Sequence, residues 1–261
     1  MEETEILSLN GEAKGKVALP KAFEEEVRPE LILRAVLAEN TRKLQPQGHY
    51  LLAGMQTTAT YFGAMNSYRS GRHMGLAIRP REKLGGGALG KVRVVPSAKS
   101  GKRAHPHLIE KRLIEQINKK EYQRALASAV SATGKPSKHT KLKMPIVITN
   151  DIESIKKTKE IVKVINAIKL SDQLEEGKKS KLRKGLRRTS SRRRYKKSFL
   201  LVLGKESSAI KAARNIAGVD ACEVSKLTAN LLAPGGVSGR ITVWSENAIK
   251  NLEESIKNKS L

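Results

Sequence analysis

The stretch Phe199-Leu200-Leu201-Val202-Leu203-Gly204 decides the fold. Five consecutive apolar residues stopped by a glycine are typical of a strand that is buried on both faces of a sheet. Ser207 or Ser208 can cap a helix behind this strand, and Gly218 can close that helix. A second short strand is expected over 221–224. Strand, helix and strand in this order predict a parallel βαβ unit with a right-handed crossover.

The same alternation continues on both sides of this unit. Residues 241–244 form another apolar, β-branched run, and Ser245 can cap a last helix. Residues 146–149 predict an earlier strand, and the apolar spacing over 152–169 predicts the helix after it. We therefore predict an α/β fold, a Rossmann-like three-layer sandwich with a mostly parallel sheet.

The N-terminal half of the chain gives weaker signals. Asn10-Gly11 predicts a hairpin within residues 5–20, and Pro29 begins a helical pattern. In that pattern Leu33, Leu37 and Leu44 share one face, with Val36 beside them. A helix is expected from Pro106 to Gly134, and a helical turn within 56–66.

Two stretches hold almost all of the charge. Residues 41–109 contain twelve Lys and Arg and one acid, Glu82, whereas residues 178–197 contain twelve Lys and Arg and no acid. Together they carry +23 of the formal net charge of +26. Such crowded like charges repel each other, and a polyanion relieves this by releasing counterions. Nucleic acid is therefore the first hypothesis for the partner.

The first charged stretch contains a glycine-rich segment, 46–105, that shows little apolar periodicity. We predict that residues 1–261 form one α/β domain and that 46–105 is a long basic loop inserted in it. Its charges lie one to eight residues apart, which suits an extended backbone passing successive phosphates. The predicted RNA contacts in this loop are Arg69, Arg72, Arg79, Arg81, Lys83, Lys91, Arg93, Lys99, Lys102 and Arg103. The aromatic residues Tyr61, Phe62 and Tyr68 are predicted to stack on unpaired bases.

The second stretch, 178–197, is denser in charge and poorer in glycine. A nuclear-localisation signal or a generic polybasic tract is the competing interpretation. Because the stretch lies between a predicted helix and a predicted strand, we expect it to anchor the body to the same polyanion. Its predicted contacts are Lys181, Arg183, Lys184, Arg187, Arg188, Arg192, Arg193, Arg194, Lys196 and Lys197.

No motif indicates an enzyme. The run Gly85–Gly90 resembles a phosphate-binding loop, but neither a predicted strand before it nor a predicted helix after it supplies the required context. His105 and His107 have no carboxylate or thiolate at a ligand spacing, and Cys222 lies in an apolar strand. We expect no catalytic residue, cofactor, metal or small-molecule substrate. The absence of a signal peptide or an apolar span predicts a cytoplasmic protein with no membrane partner.

Several of these motifs, in this order, resemble one family. They are Ser70-Gly71-Arg72, Arg93-Val94-Val95-Pro96, Gly101-Lys102-Arg103-Ala104-His105-Pro106, Arg192-Arg193-Arg194-Tyr195-Lys196-Lys197, Ala212-Ala213-Arg214-Asn215-Ile216-Ala217-Gly218-Val219, Leu232-Ala233-Pro234-Gly235-Gly236 and Gly239-Arg240-Ile241-Thr242-Val243-Trp244. The chain is similar over nearly its whole length to the large-subunit ribosomal protein four family, archaeal/eukaryotic type.

The resemblance implies a structural constituent of the large ribosomal subunit that binds large-subunit ribosomal RNA. It also implies that the loop supports assembly and helps line the nascent-peptide exit tunnel beside ribosomal protein twenty-two. The tunnel tip would lie within 72–90, with Arg72, Arg79, Arg81 and Lys83 as candidates.

Two other classes stay open from the residues alone. A Rossmann-like enzyme acting on RNA, such as a methyltransferase or an NTPase, would bind a nucleotide or a methyl donor. A DNA-compacting architectural protein would bind duplex DNA as well as structured RNA.

Overall fold

The structure, a computed structural model, describes residues 3–61, 63–66, 68, 70, 72–135, 143–182 and 193–259. The strands are β1 (Glu3–Leu7), β2 (Ala13–Ala18), β3 (Arg81–Lys83), β4 (Leu89–Val92), β5 (Ile146–Ile148), β6 (Ser180–Leu182), β7 (Arg193–Tyr195), β8 (Leu200–Leu203), β9 (Asp220–Glu223) and β10 (Thr242–Ser245). The helices are α1 (Pro29–Thr41), α2 (Lys119–Gly134), α3 (Thr158–Ala167), α4 (Ser171–Lys178), α5 (Ser208–Arg214), α6 (Ala229–Leu232) and α7 (Glu246–Asn258).

The central sheet has six strands in the order β2-β1-β5-β10-β8-β9. β2 is antiparallel to β1, and the other neighbouring strands pair in parallel. The α/β class with a mostly parallel sheet is therefore confirmed. The strand order differs from the 3-2-1-4-5-6 order of the dinucleotide-binding Rossmann fold.

Each face of the sheet carries its own apolar core. On β8, Leu200 and Val202 point into one core, with α1, α2 and α7, while Leu201 and Leu203 point into the other, with α3, α4 and α5. This division follows from the alternation of side chains along a strand. It also explains why residues 199–203 are apolar without interruption. Trp244 on β10 is fully buried in the first core, as expected of a core residue.

Two predicted turns and caps are confirmed. The hairpin over 5–20 is β1–β2, with Gly11 in its turn at φ = 85°. The Ser245 side chain accepts a hydrogen bond of 3.2 Å from the Ala248 backbone N–H and so caps α7.

The predicted apolar face of α1 is wrong. Leu33 and Leu37 are 45% and 46% exposed, whereas Ile32 and Val36 are buried. The buried side of the helix instead comprises Ile32, Ala35, Val36, Ala38 and Glu39. Leu44 lies beyond the end of the helix and is also exposed.

Several other predicted elements are corrected. The helix expected from Pro106 begins only at Lys119. Leu108, Ile109 and Ile114, which lie before it, are 47%, 71% and 46% exposed and do not form a buried helix face. The turn expected within 56–66 is not helical in the described residues; Thr60 instead pairs with Arg81 in an isolated β-bridge. Residues 152–169 contain a 3-10 turn followed by the shorter α3, and α4, β6 and β7 were not predicted.

The chain divides into two compact units. The first, here called the body, comprises residues up to Lys43 and from Ile114 onward, and the second, here called the arm, is Leu44–Leu113. The body is closed where the chain leaves and re-enters it. Thr41 Oγ1 donates to the Ala38 carbonyl at 2.9 Å and accepts from the Glu115 N–H at 3.1 Å.

A buried carboxylate joins three elements of the body. Glu39 Oε1 accepts hydrogen bonds from the Tyr122 hydroxyl at 2.7 Å and the Ala229 N–H at 2.8 Å. Its Oε2 accepts from the Asn230 N–H at 3.0 Å. Burial, and then the neighbouring Glu39, raise the pKa of Tyr122.

Within the described ranges, no helix is long and apolar enough to cross a membrane.

Candidate nucleic-acid interface

The arm has almost no buried side-chain surface. Among its described residues only Gly63 is buried, although the body has a core on each face of its sheet. Large apolar and aromatic side chains of the arm are exposed: Tyr61 is 60%, Met65 79% and Tyr68 87% exposed. A unit with so little buried surface gains little hydrophobic stabilisation of its own. Its exposed rings present flat surfaces to solvent. Phe62 lies outside the described residues.

The glycine-rich run forms the turn of a short hairpin. β3 and β4 pair antiparallel, and Gly86 in the turn has φ = 72°, a conformation that favours glycine. A Cβ added at Gly85 or Gly86 would meet no atom within 4 Å, so the backbone here is open to a close approach. β4 follows where a phosphate-binding loop would need a helix. The expected tight turn is confirmed, although the strand before it was not predicted.

One arginine of the arm is committed to the hairpin. Arg93 Nε donates to Glu82 Oε1 at 2.7 Å, and Arg93 Nη1 donates to the Lys99 carbonyl at 3.2 Å. Both side chains of the ion pair are only about a quarter exposed, at 23% and 25%. Glu82, the only acid of residues 41–109, therefore holds one cation of the arm in place.

Three other arginines of the arm each use part of their hydrogen-bonding capacity internally. Arg72 donates to the Gly63 carbonyl at 2.8 Å, Arg79 to Ser97 Oγ at 2.9 Å, and Arg81 to the Ala77 carbonyl at 3.2 Å. Because a guanidinium has five N–H donors, each keeps donors for a phosphate. Arg69 lies outside the described residues.

Five further predicted RNA contacts of the arm are exposed and make no side-chain hydrogen bond or ion pair to the described residues. They are Lys83, Lys91, Lys99, Lys102 and Arg103. The hairpin brings Arg81, Lys83, Lys91 and Arg93 onto or beside its two paired strands.

The described parts of the second charged stretch include a pair of strands. β6 and β7 are antiparallel and pair Lys181 with Arg194 and Leu182 with Arg193. For Lys181, Arg193 and Arg194 the structure describes the backbone. Five other predicted contacts lie outside the described residues: Arg183, Lys184, Arg187, Arg188 and Arg192.

Tight backbone packing holds the base of this strand pair. A Cβ on Gly218 would lie 2.6 Å from Gly177 Cα and 2.7 Å from the Lys196 carbonyl oxygen. The end of α4, the turn before β9 and the chain after β7 therefore meet where only glycine fits. Lys196 also forms an ion pair with Glu176.

A partly buried ion-pair network lies next to this base. Lys197 Nζ donates to Asp220 Oδ1 at 2.6 Å, and Arg240 Nη2 donates to Asp220 Oδ2 at 2.8 Å. Burial alone would raise the pKa of Asp220, but the Lys197 hydrogen bond and the Arg240 charge outweigh it and lower the pKa. Sequence reasoning missed Asp220 and Arg240. The available signal was an arginine directly before the apolar run 241–244.

The described residues hold no group of three or more His, Cys, Asp or Glu side chains that could bind a metal ion. His105 and His107 are both exposed. Cys222 is buried, as expected of a core residue, and burial raises the pKa of its thiol to about 12.

Comparison with known proteins gives one consistent result. The model of the Ribosomal protein L4/L1 family matches residues 17–255. The chain is 40% identical to large ribosomal subunit protein uL4 of Methanospirillum hungatei over 258 residues, covering 96% of this chain and 98% of the relative. The protein of the same name from Methanococcoides burtonii is 42% identical over 265 residues, covering 97% and 98%. The chain therefore belongs to the Ribosomal protein L4/L1 family.

Proposed function

We propose that this protein is a structural, non-enzymatic constituent of the large ribosomal subunit in the cytoplasm and that it binds large-subunit ribosomal RNA. The relatives in M. hungatei and M. burtonii carry the name large ribosomal subunit protein uL4. The observation that carries RNA binding is the arm: it exposes most of its cations and aromatic rings and buries almost nothing of its own. A phosphate backbone would neutralise the cations, and unpaired bases would cover the rings.

The proposed domain organisation follows from this role. The segment 46–105 acts as an extended RNA-penetrating loop inserted in a single α/β domain, and 178–197 acts as a second RNA-binding segment that anchors the body. Helices on both faces of the sheet support a Rossmann-like three-layer sandwich in the broad sense, with its own strand order.

The finer role of the arm is also a proposal. We infer that its tip, within 72–90, helps line the nascent-peptide exit tunnel beside ribosomal protein twenty-two, on the strength of the loop motifs. A photo-crosslinker in place of Arg79 should react with a stalled nascent chain in assembled subunits. Reaction with ribosomal RNA alone would place this residue away from the tunnel.

Salt-dependent binding tests RNA recognition. The full-length protein is titrated with large-subunit ribosomal RNA of Methanospirillum hungatei at about 50–300 mM KCl. Eight to ten phosphate contacts predict a log–log slope of about −6 to −9. A slope near −2 would show that most of the basic residues do not contact RNA. Equally tight binding to duplex DNA would favour the architectural alternative.

Single variants locate the contacts. Lys91→Gln should make the slope shallower by about 0.7–0.9, because it removes one exposed cation from the arm. Lys250→Gln on α7, which forms a surface pair with Glu246 in the body, is the matched control and should leave the slope unchanged. Equal effects of the two changes would contradict a contact localised to the arm.

A further inference from the structure

Arg240 fixes the chain immediately after the second basic segment. Its Nε donates to the Ser198 carbonyl at 3.1 Å, and its Nη2 donates to the Phe199 carbonyl, also at 3.1 Å. Its Nη1 donates to the Leu231 carbonyl at 2.8 Å. The Arg240 side chain is 3% exposed, so it contacts no RNA directly. It holds in place the backbone that carries Lys197.

Asp220 lies between two cations of different character. Arg240 pairs with one carboxylate oxygen from inside the body, and Lys197 pairs with the other from a side chain that is 52% exposed. A partly buried carboxylate that lost all of its partners would be strongly disfavoured. Here it would keep the buried partner if the exposed one left. An exposed ion pair is weak in water, so the departure of Lys197 is inexpensive.

The position of Lys197 in the chain also favours contact with a phosphate. It lies shortly after β7, at the end of the segment 178–197, whose sequence contains twelve Lys and Arg and no acid. RNA drawn to this segment would present phosphates within reach of a lysine at its base. Lys197 would then move from the Asp220 carboxylate to a phosphate, and Asp220 would stay paired with Arg240.

We propose that Arg240 is a positioning residue for RNA binding, which by holding Asp220 allows Lys197 to leave that carboxylate for an RNA phosphate. The inference rests on the proposed RNA-binding function. It adds a residue that acts through Lys197. Among the described residues, Lys197 would be the remaining side-chain cation on Asp220 without Arg240, and it would stay there.

The salt dependence of binding to the same M. hungatei ribosomal RNA tests this exchange. Arg240→Gln and Lys197→Gln should each make the log–log slope shallower by about 0.7–0.9. The drop in RNA affinity between 50 and 200 mM salt would then be about threefold smaller than for the wild-type protein. The double variant Arg240→Gln/Asp220→Asn should restore the wild-type slope, because a neutral asparagine side chain at this position no longer retains Lys197. A purely structural role of Arg240 predicts no such rescue. Failure of the rescue in folded protein would overturn the proposal.

Asp220→Asn alone provides a second test that does not require the loss of a buried arginine. It should keep the wild-type slope and bind RNA about three- to tenfold more tightly, because Lys197 starts unpaired. Glu206→Gln is the charge-matched control, since Glu206 pairs with Lys226 on the body surface. Equal affinity of the two variants would overturn the proposal even if Arg240→Gln does not fold. A shallow slope for the wild-type protein would instead refute the proposed function itself.

Discussion

Replacing Glu39 with alanine should lower the free energy of unfolding by about 3–5 kcal/mol. The change leaves three donors of the body without an acceptor: the Tyr122 hydroxyl and the N–H groups of Ala229 and Asn230. Each buried donor left unsatisfied costs about 1–3 kcal/mol, and water entering the space of the lost side chain offsets part of the sum. Tyr122→Phe removes one of the three bonds and should cost about 1–2 kcal/mol.

Urea titration followed by tryptophan fluorescence measures this loss. Trp244 is the only tryptophan of the chain and is fully buried in the same core as Tyr122. Glu30→Ala, an exposed acid in the first turn of the same helix, is the matched control and should cost less than about 1 kcal/mol. If Glu39→Ala destabilises the protein no more than Glu30→Ala, the three hydrogen bonds do not hold α1, α2 and α6 together.

Four other outcomes follow from particular contacts. Gly218→Ala should lower Tm by several degrees, because a positive φ and two backbone clashes meet there, whereas Gly85→Ala, which meets no atom, should not. The ion pairs of Asp220 contribute to the free energy of unfolding above the ordinary pKa of this carboxyl, 3.8, and the contribution is lost as the pH falls through its lowered pKa in the folded protein. Acid denaturation of Asp220→Asn should lack this pH-dependent contribution. Cys222 should resist a thiol reagent at about pH 8 until urea unfolds the body, and rapid labelling of native protein would contradict its burial. Replacing 46–105 with a short Gly/Ser linker should leave the thermal transition of the body within a few degrees of wild type by circular dichroism, and loss of the transition would show that the body needs the arm.

The sequence predicts most of the body because its strongest patterns are local. The strand over 199–203, the cap at Ser245 and the hairpin at Asn10-Gly11 each need only neighbouring residues to be recognised. The buried face of α1 was missed because it depends on which residues α2 and α6 present to it. Leu33 is more apolar than Ala35, yet Ala35 is fully buried and Leu33 is 45% exposed.

The candidate interface was predictable as a set of charges but not as a set of side-chain contacts within the protein. Clustering along the chain identifies Lys91 and Arg93 equally, whereas the structure pairs Arg93 with Glu82 and leaves Lys91 exposed. Asp220 and Arg240 lie 20 residues apart and meet only because β9 and β10 both flank β8. Such pairings depend on strand order, which no local pattern specifies.

The hydrogen bond between Thr41 and Glu115 has a consequence for how the arm can vary in length. It joins the two points where the chain leaves and re-enters the body, so the body holds those points together whatever lies between them. The entropy of closing such a segment grows only with the logarithm of its length, and doubling the segment costs about 0.6 kcal/mol. Insertions and deletions in the arm are therefore nearly neutral for the stability of the body. The length of the arm can change with little effect on the folding of the body.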